Sequence, residues 1–184
     1  MSGTPALDAS DFKLRYPIGA YEASSNRTDE ERTEAIAVLE ALPARLQDAV
    51  GNLSDSQLET PYRDGGWTVR QLVHHVADSH TNAYVRFRMA LTESWPTIKP
   101  YDEARWAELS DARSLPVHVS LALLDSLHQR WVFLLRSLDA ESWKHGYVHP
   151  EMGRESLDQV VAHYSWHSRH HTAHVLELKK RLGW

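Results

Sequence analysis

The sequence contains no cysteine. That removes disulfides, thiolate nucleophiles, zinc ribbons and iron–sulfur clusters at once, so any metal must be held by imidazole and carboxylate. Long apolar runs are also missing. No stretch approaches the ~18 residues needed for a bilayer-spanning helix. Basic charge is not in surplus: 20 Lys and Arg stand against 25 Asp and Glu, a formal net charge of −5, which leaves no nucleic-acid footprint. Residues Met1–Ala6 lack a basic stretch followed by an apolar one, so no signal peptide is expected and a cytoplasmic location is the default. Hydrophobic residues at 42% and charged residues at 24% of 184 exclude disorder, collagen and low-complexity fibres. They leave one globular domain, or two small ones, with a sizeable core.

Histidine, by contrast, is abundant, with 12 copies. Five lie between His163 and His174, and three more between His74 and His80. Their place depends on the elements that carry them. Residues 1–27 show no sustained periodicity and read as an irregular N-terminal arm, in which Tyr16-Pro17-Ile18-Gly19 is suited to dock on the body. Thr28, followed by Asp29, Glu30 and Glu31, is a good N-cap for a first helix along Ile36, Leu39, Leu42, Leu46 and Val50, with Pro43 as a kink. A short turn is expected at Ser54–Leu58. Thr68 opens a second helix that runs to about Ser94, with Val69, Leu72, Val73, Val76, Tyr84, Phe87 and Leu91 on one stripe. A connection over 95–115 holds a short helix around Glu103–Leu109. A third helix follows Pro116, which suits a first-turn position, and is marked by Leu121, Leu124, Leu127, His128, Trp131 and Leu135. Residues 139–155 read as loop, and a fourth helix runs from Ser156 to Leu182, stopped by Gly183. No strand pattern competes. Residues 28–184 therefore read as an all-α four-helix bundle with long connecting loops.

At about 100° per residue, His171 falls in the middle of the apolar stripe of the last helix and His167 on its flank, an i,i+4 pair able to share one ion. His170 points away from that stripe, and His174 lies between these positions, further from the core. Such inward rings are also found as hydrogen-bonded core groups, but several together in an apolar stripe are costly without a ligand. On the second helix, periodicity puts His80 on the apolar face, His75 on its edge and His74 away from it. It favours His80, then His75, as the third ligand and does not settle the choice. His167-Ser168-Arg169-His170-His171 carries Ser168 where a zincin needs its glutamate base, and neither a nucleophile elbow nor a P-loop is present.

The segment Pro61-Tyr-Arg-Asp-Gly-Gly-Trp67-Thr-Val-Arg-Gln-Leu-Val-His74-His75-Val-Ala-Asp78-Ser-His80 closely resembles the DinB superfamily, in its YfiT-like branch. So do Tyr16-Pro-Ile-Gly19, Ile98-Lys-Pro-Tyr-Asp102, His149-Pro150-Glu151 and the closing Tyr164-Ser-Trp-His167-Ser-Arg-His-His171-Thr-Ala-His174. The likeness runs from about residue 14 to the end. It implies a bundle with one divalent metal per chain on three histidines: His75, eight residues after Trp67, and His167 and His171. His80, His174 and Asp78 then become residues that line the site or brace the ligand rings, with a surface acid as the other reading of Asp78. Zn2+ is the first expectation for the ion and Ni2+ the second. The resemblance also implies a homodimer, a small-molecule substrate, and no nucleic-acid or membrane partner.

Members of this branch are provisionally described as metal-dependent hydrolases. Others in the superfamily are thiol transferases of the bacillithiol type, using a low-molecular-weight thiol. Three neutral imidazoles with an open coordination position suit either chemistry, by activating water or by ionising a bound thiol. A non-catalytic, metal-stabilised helical protein is the third reading. No general base can be assigned from spacing.

Overall fold

The computed structural model describes residues 9–23 and 27–184. Four long helices dominate: α2 (Asp29–Val50), α4 (Val69–Thr92), α7 (Val117–Arg136) and α8 (Leu157–Leu182). They form the expected four-helix bundle, in which α2 packs on α7 and α8, and α4 packs on the same two. The three elements between α2, α4 and α7 are short: α3 (Asp55–Leu58), α5 (Glu103–Trp106) and α6 (Ser110–Ser114). No helix among the described residues is long and apolar enough to cross a membrane.

The helix ends follow from local chemistry. Thr28, Ser54, Thr68 and Ser156 each accept a bond from the third residue of the helix they open, and that residue's Glu or Gln side chain returns a bond to the cap. These reciprocal pairs satisfy amide groups that a helix start leaves without partners. Gly183 closes α8 at φ 69°, a left-handed position suited to glycine. Pro43 lies inside α2 without ending it.

The direction of each helix shows in the cross-contacts. Arg70 bonds Leu115, His74 bonds Ser120 and His80 bonds His128, so α4 and α7 are neighbours running parallel. Arg32 pairs with Asp158 and Lys179 with Ala49, so α2 and α8 are also parallel. His75 meets His171 and His80 meets His167, so α4 and α8 are antiparallel. A parallel pair joined in sequence needs a return path along the bundle, which accounts for the long 93–116 connection between α4 and α7.

Several expectations need correction. Residues 1–27 are not wholly irregular, because α1 (Ala9–Arg15) is helical and carries an Arg15–Asp11 pair one turn apart. It is too short for a periodicity to show. Residues 1–8, on which the signal-peptide reading rests, and 24–26 lie outside the described residues. The 139–155 segment is not simply loop. It holds a 3-10 turn at Ser142–Lys144 and an antiparallel hairpin of β1 (Gly146–His149) and β2 (Gly153–Ser156). Four-residue strands give alternation nothing to work with. Gly153 leaves the turn of the hairpin at φ 80°. α6 was not foreseen and α4 stops at Thr92 rather than Ser94, whereas α7 follows Pro116 as expected, with the proline as its cap.

The apolar interior divides into two clusters. One gathers Leu39, Phe87, Trp131, Leu135, Leu157 and Val161; the other gathers Leu46, Leu72, Val73, Leu124, Val175 and Leu178. His75, His80, His128, His167 and His171, all buried, fall near the level where the clusters meet. Buried imidazoles at mid-bundle set the location of the site.

Candidate metal centre

His75 comes from α4, and His167 and His171 come from α8. One ligand atom from each of the three lies within 4.8 Å of the others. Ring centroids are 5.5 Å apart for His75 and His167, 5.0 Å for His75 and His171, and 4.4 Å for His167 and His171. All three are buried, and Trp67 packs on His75 at 4.5 Å. Desolvation is the main influence on their protonation. It lowers His75 to about 4 and pushes His167 and His171 well below the ordinary imidazole range, with neighbouring rings adding to the effect. At neutral pH each ring is therefore uncharged, the state a metal ligand requires.

A fit test comes from the polar atoms. Nδ1 of His171 is buried with no hydrogen-bond partner. Among the described residues, no carboxylate is hydrogen-bonded to any of the three rings, and His167 bonds only His80. Burying bare imidazole nitrogens is costly unless something binds them. A divalent ion, which takes neutral imidazole nitrogen readily, fits this donor set.

A second trio lies alongside: His170, His171 and His174. It shares His171 with the first. A neutral imidazole offers one lone pair, so His171 serves one ion at a time and the two trios are alternatives. The second is drawn from a single helix, and Nδ1 of its His170 and His174, like that of His171, is buried without a hydrogen-bond partner. His174 Nε2 donates to the carbonyl of Arg15, Tyr62 packs on the same ring, and His170 stacks on Trp166 at 4.3 Å.

The remaining sequence candidates fall into place around these rings. His80, which the periodicity preferred as ligand, is fully buried beneath the trio and hydrogen-bonds His167. His174 borders His171 at 5.5 Å. Asp78 lies one turn after His75 but makes no hydrogen bond to it. Its half-buried carboxyl is pushed up to about 6, first by burial and then by Asp111. Glu151 is exposed in the hairpin turn. Tyr84 and Trp131 belong to the core. The Tyr16–Gly19 segment does dock: Tyr16 packs on His170, and Gly19 accepts a bond from Trp166. His128 was missed as a site residue. It marked the apolar stripe of α7, and a lone histidine on such a stripe was its only signal. Grooves of about 450 Å³ along α2 and α8 and about 480 Å³ beside His174 border neither His75 nor His167.

Known proteins are similar to this chain over most of its length. A provisionally named metal-dependent hydrolase of Bacillus cereus (strain B4264) is 54% identical over 171 residues, covering 93% of this chain and 98% of that protein. YfiT of Bacillus subtilis (strain 168), named in the same provisional way, is 51% identical over 172 residues, covering 93% and 97%. The solved structure of YfiT, described as a probable metal-dependent hydrolase with an unusual four-helix bundle topology, superposes with a TM-score of 0.91 at 50% identity, over 94% of this chain and 99% of that one. TT2238, a four-helix bundle protein, shares the fold at a TM-score of 0.55 and 22% identity, over 83% of this chain and 99% of that one. The sequence profile of the DinB superfamily matches residues 18–175, and with relatives this similar over nearly their whole length, the chain belongs to that superfamily.

Proposed function

We propose that this protein is a metal-dependent hydrolase of a small-molecule substrate, with one divalent ion held by His75, His167 and His171. One observation carries this reading: three buried, neutral imidazoles from two helices, with ligand atoms within 4.8 Å of one another. The names of the relatives agree with it. When bound, such an ion with an open position supplies a Lewis acid and lowers the pKa of a coordinated water towards ~7. The chain's own part is to hold the rings uncharged and fixed in a mostly apolar interior, with Trp67 against His75 and the N-terminal segment packed over α8. Zn2+ comes first by coordination preference and Ni2+ second, since three imidazoles suit several first-row ions. A homodimer belongs to the same reading, and sedimentation of the purified protein at the monomer mass alone would remove it.

A second reading draws on a specific observation. Among the described residues, no carboxylate is hydrogen-bonded to the trio, and no base for water is assigned. A coordinated thiol ionises without one, which favours transfer of a low-molecular-weight thiol to an electrophile. The chain has no cysteine of its own, so that thiol would come from outside.

Assays of metal-loaded and chelator-treated protein against ester, amide and thiol–electrophile panels test both. Hydrolysis that vanishes on chelation and returns with metal supports the first. Turnover only with added thiol, together with a new sulfur-to-metal charge-transfer band in cobalt-substituted protein, supports the second. Chelation that unfolds the bundle, with no turnover on any panel, leaves a structural metal instead.

A further inference from the structure

A helix carbonyl normally accepts a bond from the amide four residues later. Leu39 lies in the middle of α2, and four residues later comes Pro43, which has no N–H to give. The Leu39 carbonyl is thereby left without its partner inside the helix. His128 of α7 fills the gap: its Nδ1 lies 2.6 Å from that oxygen. The contacts continue inward. His128 Nε2 is 3.0 Å from Nδ1 of His80, and His80 Nε2 is 3.2 Å from Nδ1 of His167. The chain Leu39–His128–His80–His167 thus crosses the bundle from α2 through α7 and α4 to α8.

The direction of every proton in it follows from one end. A carbonyl oxygen can only accept, so His128 Nδ1 donates. His128 is buried against the apolar interior and uncharged at neutral pH, so its Nε2 is bare and accepts. His80 Nδ1 must then donate, which leaves His80 Nε2 bare. His167 Nδ1 must donate in turn, which leaves His167 Nε2 with its lone pair free. Any other assignment sets two N–H groups or two lone pairs against each other. The free atom is the one a metal on the trio would take.

We infer that His80 and His128 are positioning residues: a hydrogen-bonded relay, seated on the carbonyl that Pro43 leaves open, fixes His167 in its Nδ1–H form and aims its Nε2 at the ion. The inference rests on the metal reading for its purpose but not for its geometry. A partner on the far nitrogen of a ligating histidine holds the ring's orientation and raises its basicity, and loss of such a partner typically weakens metal binding by about 10–100-fold.

Two measurements test it. Long-range 1H–15N correlation spectra of the metal-free, 15N-histidine-labelled protein report each tautomer directly. The relay predicts Nδ1–H with bare Nε2 at His128, His80 and His167 alike, and His167 found as Nε2–H overturns it. This readout needs no metal, so it stands even if the metal reading fails. Competition of Zn2+ against a chromogenic chelator then reads the consequence. His80→Phe is expected to keep one site and bind about 10–100-fold more weakly. His80→Gln, whose amide oxygen can still accept from His167 Nδ1, is expected to recover most of that loss. Unchanged Zn2+ affinity in a folded His80→Phe variant, or equal losses in the two variants, overturns the positioning role.

Discussion

At the residue scale the structure is dominated by the cost of keeping imidazoles uncharged away from water. His128 shows this best. Its ordinary value of 6.5 falls to about 4, chiefly through burial, with the Leu39 carbonyl and Asp125 pulling the other way. Between these values the unfolded chain binds a proton that the folded chain refuses. Stability is therefore unaffected by this ring above about pH 6.5 and is lost as pH falls from there towards 4, by on the order of 3 kcal/mol in full. Asp78 acts in the opposite sense over part of that range, because its raised carboxyl favours the folded state as pH falls. A difference measurement isolates the histidine. Urea midpoints of metal-free protein from pH 7 to pH 5 should fall more steeply in the wild type than in His128→Gln, and equal slopes would show that His128 does not resist protonation. The same physics limited what could be read beforehand. The His167–His171 pair was visible because both fall on or beside one apolar stripe. The choice between His75 and His80 was not, because periodicity measures how far a ring is buried and not what it faces. His80 is the more deeply buried of the two, and it serves a neighbouring ring.

At the element scale, the caps Thr28 and Thr68 were the most legible feature. Each of Thr28, Ser54, Thr68 and Ser156 is a short-range signal complete within four residues, and each forms its reciprocal pair. Ser156 matters most for function, since it starts the helix carrying two of the three candidate ligands. Ser156→Ala is expected to cost about 1 kcal/mol. Chemical denaturation should show a lower midpoint with the same slope, and an unchanged midpoint would mean that the hairpin alone fixes the start of α8. Pro43 illustrates the opposite case. Its sequence position predicts a kink, yet α2 runs through it, and its consequence appears 2.6 Å from another helix as the His128–Leu39 bond. The hairpin and α1 escaped notice for a simpler reason: four to seven residues hold too little periodic information.

At the scale of the whole molecule, the helix directions were not legible at all. Composition and caps gave four helices, but nothing in them states that α4 and α7 run parallel, or that α2 and α8 do. The 93–116 connection hinted at it by being longer than an antiparallel turn requires. That arrangement puts α4 beside α8 in opposite directions, so residues 75 and 80 meet 171 and 167 at the junction of the two apolar clusters. The most direct test is the metal content of purified, reconstituted variants, measured by mass spectrometry per folded chain. One ion per chain is expected in the wild type and in His170→Ala, and none in His75→Ala, His167→Ala or His171→Ala. An ion retained in His75→Ala and His167→Ala but lost in His170→Ala would move the centre to the single-helix trio and contradict the account.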